Sequence, residues 1–219
     1  MRRLFSTVPA ILLLALMVAQ PFPEPCLAGE HSVLLAAGYH QYPDSPYLKE
    51  MDRYVNTAKL NGPSFQMGYG YRFTPHFAGY FNATYSFVDY TYRKDGGAFR
   101  VEYDNFAFLF TAQARILPDN WWSPILGGGV GIHVHQSELD LNTKGENIYA
   151  GNTYDSALGV HAQAGVEFRI VRWLHAFIED RYTFAPMVEY AQMKQTFDVG
   201  GNTIQAGIRF SLSGRQSTP

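Results

Sequence analysis

Apolar and polar side chains alternate one by one along most of this chain. The clearest case is residues 158–170, where Leu158 and six further apolar residues occupy the even positions, and glycine, histidine, glutamine, glutamate or arginine occupies the odd ones. Side chains of a strand point alternately to its two faces. The pattern therefore predicts a strand with one apolar and one polar face.

The same alternation recurs in seven other stretches, which brings the number of predicted strands to eight. Their apolar residues share one parity within 33–39, 65–73, 77–87, 106–114, 126–134, 174–184 and 204–212. No stretch shows a convincing helical period. The predicted fold class is all-β, an antiparallel up-and-down arrangement of eight strands.

The links between the predicted strands differ at the two ends of the sheet. Short links at 74–76, 118–120 and 171–172 follow the second, fourth and sixth strands. The links after the odd-numbered strands are mostly longer and polar, and they cover 43–62, 93–97, 137–153 and 188–201. Bacterial outer-membrane barrels have short periplasmic turns and longer extracellular loops, so this alternation of link length predicts that topology.

The two faces distinguish a soluble barrel from a transmembrane one. A soluble barrel turns its apolar face inward, whereas a membrane barrel turns it to lipid. Here the polar face mixes long side chains with glycines, which weaken strands but fit a narrow interior: Gly68, Gly70, Gly127, Gly129, Gly131, Gly159, Gly165 and Gly207. Aromatic residues suited to the membrane interfaces are Tyr69, Tyr71, Phe73, Trp121, Trp122, Trp173, Tyr182 and Phe184. We therefore predict a transmembrane barrel with a polar lumen.

The first 28 residues have the layout of a secretory signal peptide. Two arginines precede an apolar run at 8–19, which is too short to span a bilayer as a helix. We expect cleavage after Ala28, with Ala19 as the second choice, and a barrel domain at 29–219. A retained anchor and a lipoprotein site at Cys26 are the alternatives. Since Cys26 is the one cysteine of the chain, the expected barrel has no disulfide and no thiolate metal site.

Composition excludes several other classes of protein. Charged residues make up 16% of the 219, below the roughly 25% of typical domains, and aromatic residues also make up 16%, which argues against disorder. The net charge of −2 leaves no broad basic surface for nucleic acid. The mean hydropathy of −0.16 is too polar for a helical membrane bundle. Alternation explains that value, because only half of each strand faces lipid.

Two stretches carry a resemblance to a known family. The first is residues 123–131, Ser-Pro-Ile-Leu-Gly-Gly-Gly-Val-Gly. The second is residues 177–184, Phe-Ile-Glu-Asp-Arg-Tyr-Thr-Phe. They are similar to the fifth and the seventh strand, respectively, of small Gram-negative outer-membrane β-barrel proteins, the OmpA/OmpX-like porin families. Asp180 of the second stretch lies on the lipid-facing parity. The resemblance extends over nearly the whole chain after the signal peptide and implies a location in the cell outer membrane.

The last predicted strand also matches a family pattern. Residues 205–212 resemble the polar-x-Gly-x-x-apolar-x-apolar signal that is read by the barrel-assembly machinery. The resemblance implies that Gln205, Gly207, Phe210 and Leu212 form this signal. Family members often end on an aromatic residue, whereas this chain continues through 213–219, so the signal would be an internal one.

Charged residues on the lumen parity form the first candidate site. An isolated buried charge is costly, so these residues are expected to pair in a network that closes the barrel. The predicted lumen charge network comprises Arg72, Arg115, Glu167, Arg169, Glu179, Arg181 and Arg209. A small gated pore for ions is the alternative function of such a lumen.

Histidines on the same parity are candidates for metal or catalytic chemistry. They are His40, His133, His135, His161 and His175. A zinc site needs three or four converging ligands, and the sequence contains no metal-binding motif, so we expect no metal and no other cofactor. His135-Gln136-Ser137 resembles the His-x-Ser pair of lipid A deacylase barrels, with Ser86 as another available serine. Because His135 reads as inward-facing, we expect no enzyme, and outer-membrane lipid modification is the alternative.

The long links between strands are candidates for contact with a surface ligand. Their tyrosines, which include Tyr42, Tyr47, Tyr54, Tyr149, Tyr154 and Tyr190, are candidates for contact with a host surface, a phage or lipopolysaccharide. We expect a monomeric barrel with a structural or surface-interaction role through its extracellular loops. Its expected partners are outer-membrane lipid, lipopolysaccharide and the assembly machinery, without nucleic acid.

Overall fold

Eight antiparallel strands close into one barrel. The computed structural model describes residues 29–43, 61–94, 97–143, 146–186 and 199–212, without the side chains of 90–101 and 137–154. Each strand pairs with the next along the chain, and β8 pairs with β1. The strands are β1 (Glu30–Gln41), β2 (Asn61–Arg72), β3 (Phe77–Lys94), β4 (Gly97–Arg115), β5 (Trp122–Thr143), β6 (Glu146–Val171), β7 (Leu174–Phe184) and β8 (Gly201–Leu212). Closure leaves no open strand edge, which lipid cannot hydrogen-bond.

The predicted all-β fold and the predicted parity of each strand are confirmed. In β7 the side chains of His175, Phe177, Glu179, Arg181 and Thr183 are buried, while Ile178 and Tyr182 between them are half exposed. The same alternation holds in the other strands, where apolar side chains such as Leu35, Phe110, Val160 and Ile204 are exposed on the outer surface. The apolar face therefore surrounds the barrel and the polar face fills its lumen.

The strands differ from the prediction in their length. β7 has the predicted bounds, but the predicted loop at 137–153 is wrong, because β5 continues to Thr143 and β6 already begins at Glu146. β3 and β4 likewise continue to Lys94 and from Gly97. Beyond the bilayer both faces of a strand meet water, so its side chains need not alternate between apolar and polar. The backbone hydrogen bonds between strands continue there, but the sequence pattern that predicts a strand is lost.

The two ends of the barrel are distinguished by their connections. Residues 73–76, 116–121 and 172–173 make short turns at the end where β1 begins and β8 ends. In outer-membrane barrels the short turns are periplasmic, and we call this end the periplasmic end. The predicted signal peptide and its cleavage after Ala28 lie outside the described residues, as do Tyr47, Tyr54 and Tyr190.

Aromatic side chains surround both ends of the outer surface. Phe73, Trp121 and Trp173 are exposed at the periplasmic end, and the Trp173 ring stacks on Phe210 with centroids 6.2 Å apart. Tyr182 and Phe184 are exposed toward the other end. Such belts place amphipathic rings at the level of the lipid headgroups. No helix among the described residues has the length and apolarity to cross a membrane.

Glycines make room for large side chains inside the lumen. A Cβ atom on Gly70 would overlap the ring of Tyr80, and one on Gly68 would overlap the side-chain oxygen of Asn82. Gly201, with φ of 129°, has a backbone conformation that L side chains rarely adopt. The glycines that the sequence placed inside the barrel therefore give the space into which its polar and aromatic residues fold.

Candidate functional site

A cluster of polar side chains fills the periplasmic part of the lumen. Its centre is Glu167 of β6, whose carboxylate pairs with both Arg115 and Arg209. His175 places its Nδ1 atom 3.1 Å from the same carboxylate, and Arg209 Nη2 donates to Gln113 Oε1 at 3.2 Å. We call Glu167, Arg115, Arg209, His175 and Gln113 the periplasmic cluster.

The Arg209 guanidinium also lies over two aromatic rings, those of Tyr80 and Phe177. Its central carbon lies 4.7 Å from the centroid of the Tyr80 ring and 5.3 Å from that of Phe177. Both rings belong to a small apolar cluster in the lumen, which also contains Leu34, Ala36 and Ala78. Cation–π attraction is strongest where the cation is desolvated, so these rings stabilise a guanidinium that is 2% exposed.

A second group of polar side chains, the central cluster, crosses the middle of the lumen. Glu179 accepts hydrogen bonds from Gln205 Nε2 at 2.6 Å and from Gln163 Nε2 at 3.4 Å. Gln66 Oε1 accepts from Gln205 Nε2 at 3.0 Å and from the Arg181 guanidinium. All five residues of this cluster are buried. They come from β2, β6, β7 and β8, so the hydrogen bonds join opposite walls of the barrel.

A row of aromatic rings crosses the lumen further toward the extracellular end. The ring centroids of His40 and Tyr42 are 4.2 Å apart, those of Tyr42 and Tyr103 are 4.7 Å apart, and those of Tyr103 and His135 are 5.6 Å apart. The Tyr42 hydroxyl and the Ser86 hydroxyl are hydrogen-bonded at 2.9 Å. We call these four rings the ring layer; Tyr42, expected in a loop, is buried within it.

His40 and His161 are lumen histidines with hydrogen-bond partners in the barrel wall. His40 hydrogen-bonds to the Thr203 hydroxyl at 2.7 Å and to the Gly200 carbonyl at 3.1 Å. The Thr111 hydroxyl lies 2.9 Å from His161 Nε2. Within the described part of the chain, no group of three or more His, Cys, Asp or Glu side chains is arranged to hold a metal ion.

The structure distributes the seven residues of the predicted charge network over four places. Arg115, Glu167 and Arg209 meet in the periplasmic cluster, and Glu179 and Arg181 in the central cluster. Arg72 pairs instead with Glu30 at 2.6 Å, a partner that the sequence analysis did not select. Arg169 is exposed at the rim, where it donates to the Asp119 carbonyl at 3.1 Å. His175, selected only as a candidate for metal or catalytic chemistry, and the lumen glutamines were not assigned to the network, although their parity placed them inside.

The candidate catalytic residues lie away from the lipid surface. His135 is 2% and Ser86 is 3% exposed, and both side chains face the lumen. His135 stacks against Tyr103, and Ser86 is bonded to Tyr42. The Ser137 side chain is outside the described residues, as are those of Tyr149 and Tyr154.

The four residues of the expected assembly signal divide between the two faces of β8. Gln205 is buried in the central cluster, and a Cβ atom on Gly207 would lie 2.7 Å from Ala36 Cβ and from the Phe177 ring. Phe210 and Leu212 point outward, with Leu212 55% exposed at the end of the strand.

Asp180 is a charged residue on the lipid-facing surface. It lies in the middle of β7 and is exposed, with Ala164 and Ile204 as its neighbours on the adjacent strands. A carboxylate facing lipid is unfavourable, although less so than a cation. We expect Asp180→Asn to stabilise the barrel by about 1 kcal/mol, measured by urea unfolding in lipid vesicles. The matched control is Asp119→Asn in an exposed turn, and an equal gain there would contradict the lipid-facing explanation.

Comparisons with known proteins agree with this geometry. Residues 9–211 match the family model described as outer membrane protein beta-barrel domain. None of the curated proteins matches the chain in a sequence comparison.

Solved structures are similar in fold. Neisserial surface protein A (NspA) is 15% identical, with a TM-score of 0.54, over 84% of this chain and 97% of its own. OprG from Pseudomonas aeruginosa is 9% identical, with a TM-score of 0.51, over 86% and 98%. Ail, the attachment invasion locus protein of Yersinia pestis, is 12% identical, with a TM-score of 0.49, over 85% and 100%.

The closed eight-stranded barrel, its apolar outer face and the family match over most of the chain lead to one conclusion. The chain belongs to the outer membrane protein beta-barrel family and is an integral protein of the bacterial cell outer membrane.

Proposed function

We propose that the protein is a closed, non-conducting barrel that holds a surface-interaction module at the extracellular side of the outer membrane. The observation that carries this proposal is the unequal length of the strands. β1, β2, β7 and β8 have 11 or 12 residues, close to the 9–11 or so that cross a bilayer. β3, β4, β5 and β6 have 18, 19, 22 and 26.

The extra length lies at the extracellular end, because the periplasmic turns are short. Against the 12 residues of β8, β5 is ten residues longer and β6 fourteen. At about 3.3 Å per residue, these extensions add roughly 30–45 Å along the strand. The ladders of β3–β4 and β4–β5 continue into the same region, out to Lys94↔Gly97 and Ala98↔Asn142. A four-stranded sheet that extends beyond the bilayer suits contact with a surface ligand.

The filled lumen supports a non-conducting barrel over the alternative of a gated pore. The central cluster and the ring layer cross it at two successive levels, through hydrogen bonds and ring contacts between opposite walls. Arg181 and Gln205 in the first, and His135 in the second, are each 2% exposed. An ion would have to displace both levels to pass.

The proposal assigns no catalytic step to the protein. Lipid A modification needs its catalytic groups where an acyl chain reaches them, and the described candidates His135 and Ser86 are buried in the lumen. The proposed environment is outer-membrane lipid and lipopolysaccharide around a monomer, and the Gln205–Leu212 strand end is proposed as the segment read during assembly.

Shortening the β5–β6 extension tests the proposed module. The variant replaces residues 139–151 with Asn-Gly, so that a two-residue turn follows the pair Glu138↔Asn152. We expect attachment of producing cells to epithelial monolayers or to lipopolysaccharide-coated surfaces to fall by about tenfold. The heat-modifiable gel shift of the folded barrel should persist, because the periplasmic and central clusters are untouched.

The envelope barrier provides the control in the same cells. Detergent sensitivity should stay at the level of cells with the full-length protein, because the barrel still fills its place in the membrane. Unchanged attachment in the shortened variant, together with barrier loss when the whole protein is deleted, would show a purely structural barrel and reject the module.

A further inference from the structure

A small open pocket lies at the periplasmic mouth of the lumen, outside the two levels of side chains that cross the barrel. Its polar lining consists of Arg72, Arg115, Arg209, Gln113, His76 and Tyr80. His76 belongs to the exposed turn between β2 and β3, so the pocket is reached from the periplasm. None of the described residues that line it is acidic.

Positive charge is in excess around this pocket. Arg115 and Arg209 share the single carboxylate of Glu167, and Arg72 pairs with Glu30. Three guanidinium groups against these two carboxylates leave one positive charge uncompensated. Charges in a poorly solvated interior need a counter-charge.

Two buried donors of the lining also lack a partner. Arg209 Nε and Gln113 Nε2 have no hydrogen-bond acceptor, although both side chains are almost completely buried. Buried donors are normally satisfied, and the missing group at this place would have to accept hydrogen bonds. The excess positive charge and the unpaired donors are therefore both consistent with a negatively charged ligand that accepts hydrogen bonds.

We propose that the periplasmic pocket binds a small oxyanion, the chemistry shared by phosphate groups and carboxylates. Guanidinium groups bind such oxygens through paired N–H donors. Arg72 lies at the open side, with its side chain 15% exposed, and would meet the anion first. Arg209 and Gln113 would supply the deeper hydrogen bonds. This inference is independent of the extracellular module.

Titration of the full-length chain, refolded in a neutral detergent in chloride buffer, tests the pocket. Inorganic phosphate and acetate are added separately at constant ionic strength, while NMR follows the arginine Nε–H signals. We expect saturable shifts with at least one anion. Saturation by phosphate alone assigns a phosphate group, saturation by acetate alone assigns a carboxylate, and absence of saturation with both overturns the proposal.

Two variants separate a defined site from general attraction of anions. Arg72→Gln removes a lining charge from a partly exposed pair, and we expect it to weaken anion binding about tenfold, the loss of one charge-assisted hydrogen bond. The matched control Arg169→Gln removes an arginine at the same rim but outside the pocket, and should leave binding unchanged. Arg72→Lys, which keeps the charge, should bind with intermediate affinity. Equal weakening by Arg72→Gln and Arg169→Gln would overturn the site.

Discussion

Replacement of Glu167 by glutamine is expected to destabilise the barrel by about 3–5 kcal/mol, the cost of breaking a buried ion pair by removing one partner. The reason is that one carboxylate serves two arginines. Without it, Arg115 and Arg209 repel each other, and Arg209 is 2% exposed. Urea unfolding in lipid vesicles measures the change, and the heat-modifiable gel shift shows whether the variant closes.

The matched control for Glu167 is Glu30→Gln. Glu30 also pairs with an arginine, Arg72, but the two side chains are 25% and 15% exposed. Water takes over part of the lost interaction there, so the cost should be about 1 kcal/mol or less. If the two substitutions cost the same, the shared carboxylate of the periplasmic cluster has no special role in stability.

Gly129→Ala is the second substitution with a large expected effect. A methyl group on Gly129 would overlap the backbone carbonyl oxygen of Phe110 on the neighbouring strand and lie 3.1 Å from the ring carbon Cε1 of His161. A backbone atom in a paired strand cannot move aside as a flexible side chain does. We expect a loss of about 1–3 kcal/mol, measured by the same urea unfolding, and a lower folding yield.

A glycine on the opposite face is the control for Gly129. Gly79 faces outward, and a Cβ atom there would meet only the Phe73 ring, at 3.3 Å and beyond. That ring is exposed and can move, so Gly79→Ala should change stability by no more than about 0.5 kcal/mol. A similar loss at both positions would mean that the effect comes from the glycine backbone rather than from crowding in the lumen.

The two levels of the lumen connect stability to function in this barrel. The same buried contacts that are expected to stabilise the closed fold are also those that we propose block a path for ions. Both proposed functions lie at the ends of the barrel, where the projecting β3–β6 sheet and the periplasmic pocket meet water. The charge pairs and glycines of the lumen are expected to stabilise the eight-stranded barrel that carries both ends.

The expected charge network illustrates which part of the site was accessible from sequence. The parity of Arg115, Glu167 and Arg209 placed their side chains inside the lumen, and the structure brings them together. Parity gives no height along the barrel axis, so it did not separate Arg181 from this group or exclude Arg169. The position of a side chain along the barrel axis depends on the register between paired strands. A slip of one residue in that register would also exchange the two faces of the strand.

The partners of these residues were beyond the sequence for a related reason. Arg209 and Gln113 lie 96 positions apart, and Arg181 and Gln66 lie 115 apart. Contacts of this kind form across the lumen between strands that are not neighbours in the chain. The alternation of side chains along a strand does not show which residues of distant strands will meet. These contacts are fixed only when β1 pairs with β8 and the barrel closes.

The sequence by itself determined the number of strands, the face of each that meets lipid, and the membrane class of the protein. It could do so because a bilayer imposes a period of two wherever a strand crosses it. Only the tertiary structure decided how far β3–β6 project, which charges pair, and where a pocket remains. Outside the bilayer the period is lost, and inside the lumen the contacts depend on register and closure, which are properties of the whole barrel.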